Sequence, residues 1–249
     1  MRIFLAILIC IPFITFSQGK KERIPSYFGF QVSPVFPTAF IGNPTLQLSG
    51  QGFETTFTQT MGYRFGATVR AGITKLIAFD TGINYTQRNF SLDMAMPDSN
   101  SYAKDTMTFI EYDIPLNALV YIQLSEKWYM NTSLGLALTF KPTNIEVYNK
   151  PGGYHYYHHV GIVQKRIWFD FNASVGFEFR TEKSGFFYLG GSARVPFSPL
   201  FVLLADHSYQ GNSIQLYGNV DGSFLSIDFK YFFPNIKNKG PQFNKGPIE

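Results

Sequence analysis

From residue 26 onward the chain alternates between apolar and mixed positions with a period of two. Eight segments separate on this pattern, at about 26–36, 61–73, 76–90, 106–122, 127–141, 165–181, 185–197 and 221–233. A period of two places successive side chains on opposite faces of a β-strand. In the sixth segment Ile167, Phe169, Phe171, Ala173, Val175, Phe177 and Phe179 alternate with Trp168, Asp170, Asn172, Ser174, Gly176, Glu178 and Arg180. The last sets Leu225, Ile227, Phe229, Tyr231 and Phe233 against Ser226, Asp228 and Lys230. Soluble strands average about 5–6 residues. Alternation sustained for ten or more fits the roughly 9–11 residues that a tilted strand needs to cross a bilayer.

The connections alternate too. Thr74-Lys75, Gln123–Glu126 and Glu182–Ser184 are tight turns, whereas 37–60, 91–105, 142–164 and 198–220 are long. Short turns on one side and long loops on the other predict an all-β fold, an eight-stranded antiparallel up-and-down transmembrane β-barrel with both termini in the periplasm. The competing reading is a secreted soluble sandwich or lipocalin-like barrel with its apolar face inward. Two features favour the membrane. Charge hardly interrupts the apolar face, and small residues on the mixed face (Gly66, Gly82, Gly135, Gly176, Gly190) suit a narrow lumen. Aromatic girdles are expected from Phe28, Trp128, Phe179, Phe187 and Phe233 at the turn end. Tyr63, Tyr85 and Phe140, with Ile167, mark the loop end. Pro115 lacks a ladder donor and predicts a bulge in its strand.

The N-terminus reads as an address. Arg2, the apolar run Ile3–Phe16 broken by Pro12, and the polar Ser17-Gln18-Gly19 describe a secretory signal peptide at 1–18. The chain then divides into a periplasmic segment at 19–25, the barrel at 26–233 and a flexible periplasmic tail at 234–249. The single cysteine, Cys10, lies in the signal and follows Ile9 rather than a small residue, which excludes a lipoprotein signal. The exported chain therefore has no disulfide to rely on.

Composition narrows the class. Aromatic residues make up 18% and charged residues 15%, against about 25% charged in ordinary soluble domains. This excludes a disordered chain and a coiled coil, and the absence of clustered Lys and Arg argues against nucleic acid as a partner. A net charge of +4 implies no acidic partner. The stretch Phe109-Ile-Glu-Tyr-Asp-Ile-Pro-Leu-Asn-Ala-Leu-Val-Tyr121, with Trp128-Tyr-Met-Asn-Thr-Ser-Leu-Gly-Leu136 and the closing Gly222-Ser-Phe-Leu-Ser-Ile-Asp-Phe-Lys-Tyr-Phe-Phe233, resembles the PorT-like outer-membrane β-barrel family of Bacteroidota. The resemblance implies an eight-stranded barrel in the cell outer membrane. One branch of the family assists secretion and gliding machinery, so it also implies secretion or surface-complex proteins as partners beside outer-membrane lipid.

Side chains fill the lumen of an eight-stranded barrel. The mixed faces assign Arg64, Arg70, Arg88, Lys127, Lys141, Arg180, Arg194 and Lys230 to it, against Asp80, Glu111, Asp113, Asp170, Glu178 and Asp228. Such near-balance predicts a paired charge network. All four histidines fall in predicted outer loops. His155, His158 and His159 are candidate metal ligands by residue type, without a carboxylate or thiolate nearby. Asp206-His207-Ser208 cannot form a nucleophilic relay on a regular strand, because adjacent residues face opposite ways. The chain has no GxSxG, HExxH or phosphate-cradling glycine loop. No cofactor is expected. The apolar Pro199–Leu204 stretch is expected to fold over the barrel mouth. These readings favour a non-enzymatic scaffold or accessory barrel. A small channel or transporter, or a lipid-modifying enzyme, is the alternative.

Overall fold

The computed structural model describes residues 25–152, 154–181 and 184–234. The signal-peptide segment, all but Pro25 of 19–25 and all but Pro234 of the tail lie outside them. The described chain is all-β apart from a short 3-10 turn at Pro97–Ser99. Its strands are β1 (Tyr27–Pro37), β2 (Thr45–Gly50), β3 (Phe53–Gly72), β4 (Ile77–Met96), β5 (Ser101–Gln123), β6 (Trp128–Phe140), β7 (Ile145–Gly152), β8 (His155–Ile162), β9 (Ile167–Arg180), β10 (Phe186–Pro196), β11 (Phe201–Tyr209), β12 (Asn212–Val220) and β13 (Phe224–Phe232).

Every pairing is antiparallel. One sheet runs β1-β13-β10-β9-β6-β5-β4-β3-β2. β1 also pairs β3, from Tyr27 with Arg70 to Val35 with Gly62, so the ladder returns on itself. β2 hangs on the far half of β3, beyond that closure. The three short connections are tight turns, closed by Ile73 N–H to Ile77 O at 3.0 Å, Leu124 N–H to Trp128 O at 2.9 Å and Thr181 N–H to Gly185 O at 3.0 Å.

The long connections depart from expectation. Segments 37–60, 91–105, 142–164 and 198–220 read as loops in the sequence, apart from an upward extension of the second strand through Phe53, Thr55, Phe57 and Gln59 that β3 bears out, yet most of their residues are strand. β3 and β4 extend to 20 residues each and β5 to 23. The hairpins β7–β8 and β11–β12 form a second sheet, ordered β12-β11-β8-β7. Two of the hairpin tips explain why the chain can reverse so tightly. Gln51-Gly52 and Gln210-Gly211 hold φ of 52° and 81°, and of 46° and 87°, the paired left-handed geometry of a type I′ turn.

Polarity inverts along the long strands. In the turn-side half the charged and amide side chains point inward and the apolar ones outward. Ile83, Leu134 and Phe30 are 64%, 58% and 53% exposed there, while Arg70 is fully buried. In the far half, Phe90, Leu92 and Met94 continue the inward face of β4 that carries Asp80, Thr86 and Arg88. They pack with Phe53, Phe57, Phe109, Leu200, Phe201 and Leu203 into one apolar core between the extended strands and the second sheet. Phe201 and Leu203 thus cover the mouth as part of β11 rather than as a loop, with Leu200 just before that strand.

A bulge in β3 keeps both halves in phase. The register with β4 shifts between Thr60 and Tyr63. The extra residue moves the inward set from odd positions (Phe53, Thr55, Phe57, Gln59) to even ones (Gly62, Arg64, Thr68, Arg70). The bulge expected at Pro115 does not form, because Pro115 keeps register with Ala137 of β6 while its missing donor falls on the β4 side.

Phe201 joins Phe57, Phe90 and Phe109 at ring separations of 5.9, 5.7 and 5.2 Å. Truncation to Ala should destabilise the upper core by about 3–5 kcal/mol. Hydrogen exchange should then accelerate in β8, β11 and the far half of β4 and stay unchanged in β6, β9 and β13.

Candidate functional site

The interior of the closed ladder is a stack of ion pairs in three tiers. Nearest the short turns, Arg70 forks onto Asp80 at 3.1 Å through two nitrogens and also binds Glu178 across the lumen. Glu178 accepts from Arg180 at 3.0 Å, and Lys230 reaches Asp80 at 3.2 Å. Aromatic rings close this tier. The Arg70 guanidinium lies 4.4 Å from the Phe232 ring centroid and that of Arg180 lies 4.0 Å from Tyr129. At mid-height Arg64 binds Asp228 at 2.8 Å, with Ser192 and Ser226 as further acceptors, and Arg194 binds Asp113 at 2.8 Å. Gln31, Arg64, Asn84, Asn117, Asn172 and Arg194 leave a gap there of about 20 Å³, room for roughly one water. In the third tier Arg88 binds Glu111 at 2.8 Å and the carbonyl of Gly222. Lys141 donates to the carbonyls of Pro199 and Leu200 at 3.2 and 3.1 Å, below the apolar core.

All six acids assigned to the lumen are buried in it: Asp80, Glu111, Asp113, Asp170, Glu178 and Asp228. Arg64, Arg70, Arg88, Lys141, Arg180 and Arg194 are buried beside them, and Lys230 is half-buried. Lys127 is a correction. It sits in the β5–β6 turn, past the end of the ladder, and is exposed. Asp170 accepts a hydrogen bond from the Thr139 hydroxyl at 2.6 Å. The aromatic lining of the first tier (Tyr27, Tyr121, Tyr129, Phe186, Tyr188, Phe232) was not singled out from the sequence. Its signal was there, because these residues occupy mixed-face positions beside Arg70, Glu178 and Arg180.

The histidines occupy the second sheet. Alternation along β8 splits the expected trio. His155 and His159 face the upper core, and His158 faces the other way, stacked on Tyr148 at 4.1 Å. His158 Nε2 lies 3.7 Å from a Glu146 carboxylate oxygen. His159 is buried with its Nε2 3.1 Å from the Thr55 hydroxyl. Burial, assisted by nearby His158 and opposed by Asp105, holds its pKa down at about 4. His207, from the neighbouring strand, meets His155 instead, Nδ1 of His155 to Nε2 of His207 at 3.0 Å. Among the described residues no three His, Cys, Asp or Glu side chains converge as a metal cluster. Asp206 and Ser208 point away from the core that His207 enters, so the three form no relay.

Comparison with solved structures finds chains of similar fold. The fold is similar to the outer membrane protein OprG of Pseudomonas aeruginosa, with a TM-score of 0.49 and 11% identity over 86% of this chain and 98% of that one. No family model and no curated protein matches the sequence.

Two outcomes test the site's energetics. Arg70→Met leaves Asp80 and Glu178 buried without their shared partner and should cost about 3–5 kcal/mol, read as a lower urea midpoint. The second is acid sensitivity. The folded pKa of His159 lies below the unfolded value of about 6.5, so the unfolded form binds the extra proton and stability falls as pH drops from about 6.5 towards 4. Proteolysis of the β8 and β11 region should rise over that window in the native protein and much less in His159→Gln.

Proposed function

We propose that this chain is an eight-stranded outer-membrane β-barrel that acts as a non-enzymatic scaffold or accessory of a surface or secretion complex. The circuit β1-β13-β10-β9-β6-β5-β4-β3 is the barrel, and outer-membrane lipid bathes its outward apolar rows. A cleaved signal peptide exports it, the short turns face the periplasm, and the second sheet stands outside the cell. The observation that carries the reading is the reversal of polarity within single strands. Inward charge and outward Phe, Ile and Leu in one half suit hydrocarbon outside. Inward Phe and outward Ser, Asp and Lys in the other half, as along β4 and β5, suit water.

A sealed lumen favours the scaffold over a channel. Among the described residues the ion pairs and the apolar core above them fill the ring, leaving a gap of about 20 Å³ at mid-height, and eight strands enclose little to begin with. Among the described residues no lumen group is arranged as a nucleophile with its base, which disfavours the lipid-modifying enzyme. The likeness of the Phe109–Tyr121 and Gly222–Phe233 strands to PorT-like barrels agrees with an accessory role and suggests where partners engage, on the second sheet or the periplasmic tail.

Reconstitution in planar bilayers tests this directly. The expected result is a folded protein that needs detergent or lipid and gives no conductance steps. Gentle solubilisation of the native membrane should co-isolate other envelope proteins. Reproducible single-channel currents would replace the scaffold with the channel, and a folded monomer in detergent-free buffer would remove the membrane altogether.

A further inference from the structure

The linker between β8 and β9, residues 163–166, crosses the rim where the polarity of the wall inverts. Ile167, just after it, ends an outward row that runs across adjacent strands through Phe140, Tyr112, Tyr85 and Phe65. Immediately beyond that row stand Lys165 and Arg166, adjacent in the chain and both exposed. Among the described residues neither joins an ion pair, and the Lys165 ammonium rests 3.6 Å from the centroid of the Trp168 ring. Lys104 and Lys150, exposed cations elsewhere on the outer strands, have partners inside the chain. Lys104 binds Asp93 at 2.6 Å, and Lys150 lies over the Tyr156 ring at 4.9 Å. Neighbouring like charges repel, so an unpaired Lys–Arg pair at this height is stabilised by an anion.

The segment beside it supplies a concavity and an apolar shelf. The chain leaving β10 continues along β9, with Phe197 N–H bound to Phe169 O at 3.3 Å. Lys141 ties this segment to the linker. Its backbone N–H donates to Arg166 O at 2.8 Å and its ammonium to Pro199 O at 3.2 Å. Phe197, Ser198, Asn219 and Asp221 are among the residues lining an open concavity of about 300 Å³ there. The Ser198 hydroxyl has no partner among the described residues. Asp221 accepts from Asn43 N–H at 2.8 Å and from the amide and hydroxyl of Ser223 at 2.8 and 2.9 Å, so its charge is engaged within the chain. Ile167, Phe169 and Phe197 lie exposed on the wall alongside.

We infer that this rim binds the headgroup of a phosphorylated glycolipid of the outer leaflet, with a phosphate on Lys165 and Arg166 and a sugar in the concavity beside them. The inference rests on the outer-membrane reading above and names a lipid that this barrel selects. A guanidinium donates to phosphate oxygens as a fork, and the neighbouring ammonium adds a point charge. Sugar hydroxyls meet Ser198 and Asn219, and acyl chains run down Ile167, Phe169 and Phe197. Trp168 stands at the height where indole rings favour the membrane–water boundary. Free phosphate finds the same two cations but gains nothing from the apolar shelf, which favours the lipid. Both cations are exposed, so binding weakens as salt rises.

The test uses the full exported chain in detergent micelles, with diphosphorylated lipid A added and retention read by native mass spectrometry. One bound lipid is expected at low loading. The double variant Lys165→Ala, Arg166→Ala should retain it about tenfold less, and Lys104→Ala should change nothing. Lipid A stripped of both phosphates should bind the unaltered chain as weakly, an arm that needs no variant to fold. Circular dichroism checks the double variant, whose two side chains are exposed. Inorganic phosphate at the same concentration should not displace the lipid, and displacement would assign the cations to a free anion instead. No retained lipid, equal retention by the double variant, or equal binding of the phosphate-free lipid would each overturn the inference. A chain that needs detergent yet fails these arms leaves the membrane reading standing, whereas a folded monomer in buffer alone removes both.

Discussion

A backbone amide in hydrocarbon has no water to fall back on, and leaving its N–H or C=O unpaired costs several kcal/mol. On the proposed reading, the ladder that leaves β1 through β13 and returns to it through β3 meets that demand with strands alone. Everything inside the ladder then follows from confinement. A ring this small cannot hold a column of water, so the inward side chains must satisfy one another. They do so across the lumen as well as along the wall. Arg70 and Asp80 are directly opposite on adjacent strands, but Arg70 also ties β3 to Glu178 of β9. Arg64 ties β3 to β13, and Arg194 ties β10 to β5. Each guanidinium supplies several donors to opposite walls, so the network holds the shape of the ring and neutralises its own charge. Small residues make room for the cross-links. A Cβ on Gly190 would fall 2.2 Å from the Tyr188 hydroxyl, and one on Gly176 would fall 2.6 Å from the same side chain.

The second consequence is the inversion at the rim. A strand that leaves the bilayer on the reading proposed here exchanges hydrocarbon for water on its outer face, and the favourable side for apolar residues moves from outside to inside. β4 accomplishes this without changing phase, since Arg88 is followed by Phe90, Leu92 and Met94 on the same face. β3 needs one extra residue. With the bulge near Met61 and Gly62, both Phe57 above and Arg64 below point inward, and without it one set would be turned out into the wrong solvent. On that reading the site of the bulge is set by the solvent boundary.

Much of the ladder was legible in the alternation, because apolar and mixed faces differ sharply in chemistry over residues 61–90, 106–141, 165–197 and 221–233. The lumen charges were legible for the same reason, since Asp170, Glu178 and Arg180 share parity on one strand. Lys127 was misread because parity was carried past the last ladder residue into a turn. The upper strands were missed for a different reason. Ser91–Asp105 also alternates, but most of its outward residues (Ser91, Asp93, Lys104) are polar, and a polar stretch between two clear strands resembles a loop. The His155–His207 contact had no linear signal at all. Their separation of 52 residues is closed only by the pairing of two hairpins, each of which was taken for irregular chain.

That the outer region is built from paired strands changes what it offers a partner. A flexible loop gives up conformational freedom on docking, of the order of 1 kcal/mol for each ordered side chain, whereas a sheet has already lost it. The outward face of the second sheet, with Tyr148, Tyr156, His158 and Tyr217, is presented in fixed register by β7, β8 and β12, on a core of buried phenylalanines. The same core rests on Lys141, whose ammonium binds the carbonyls where β11 begins. On the proposed reading, rigidity of the second sheet and closure of the lumen have one origin: the packed core that caps the ring also holds that sheet still.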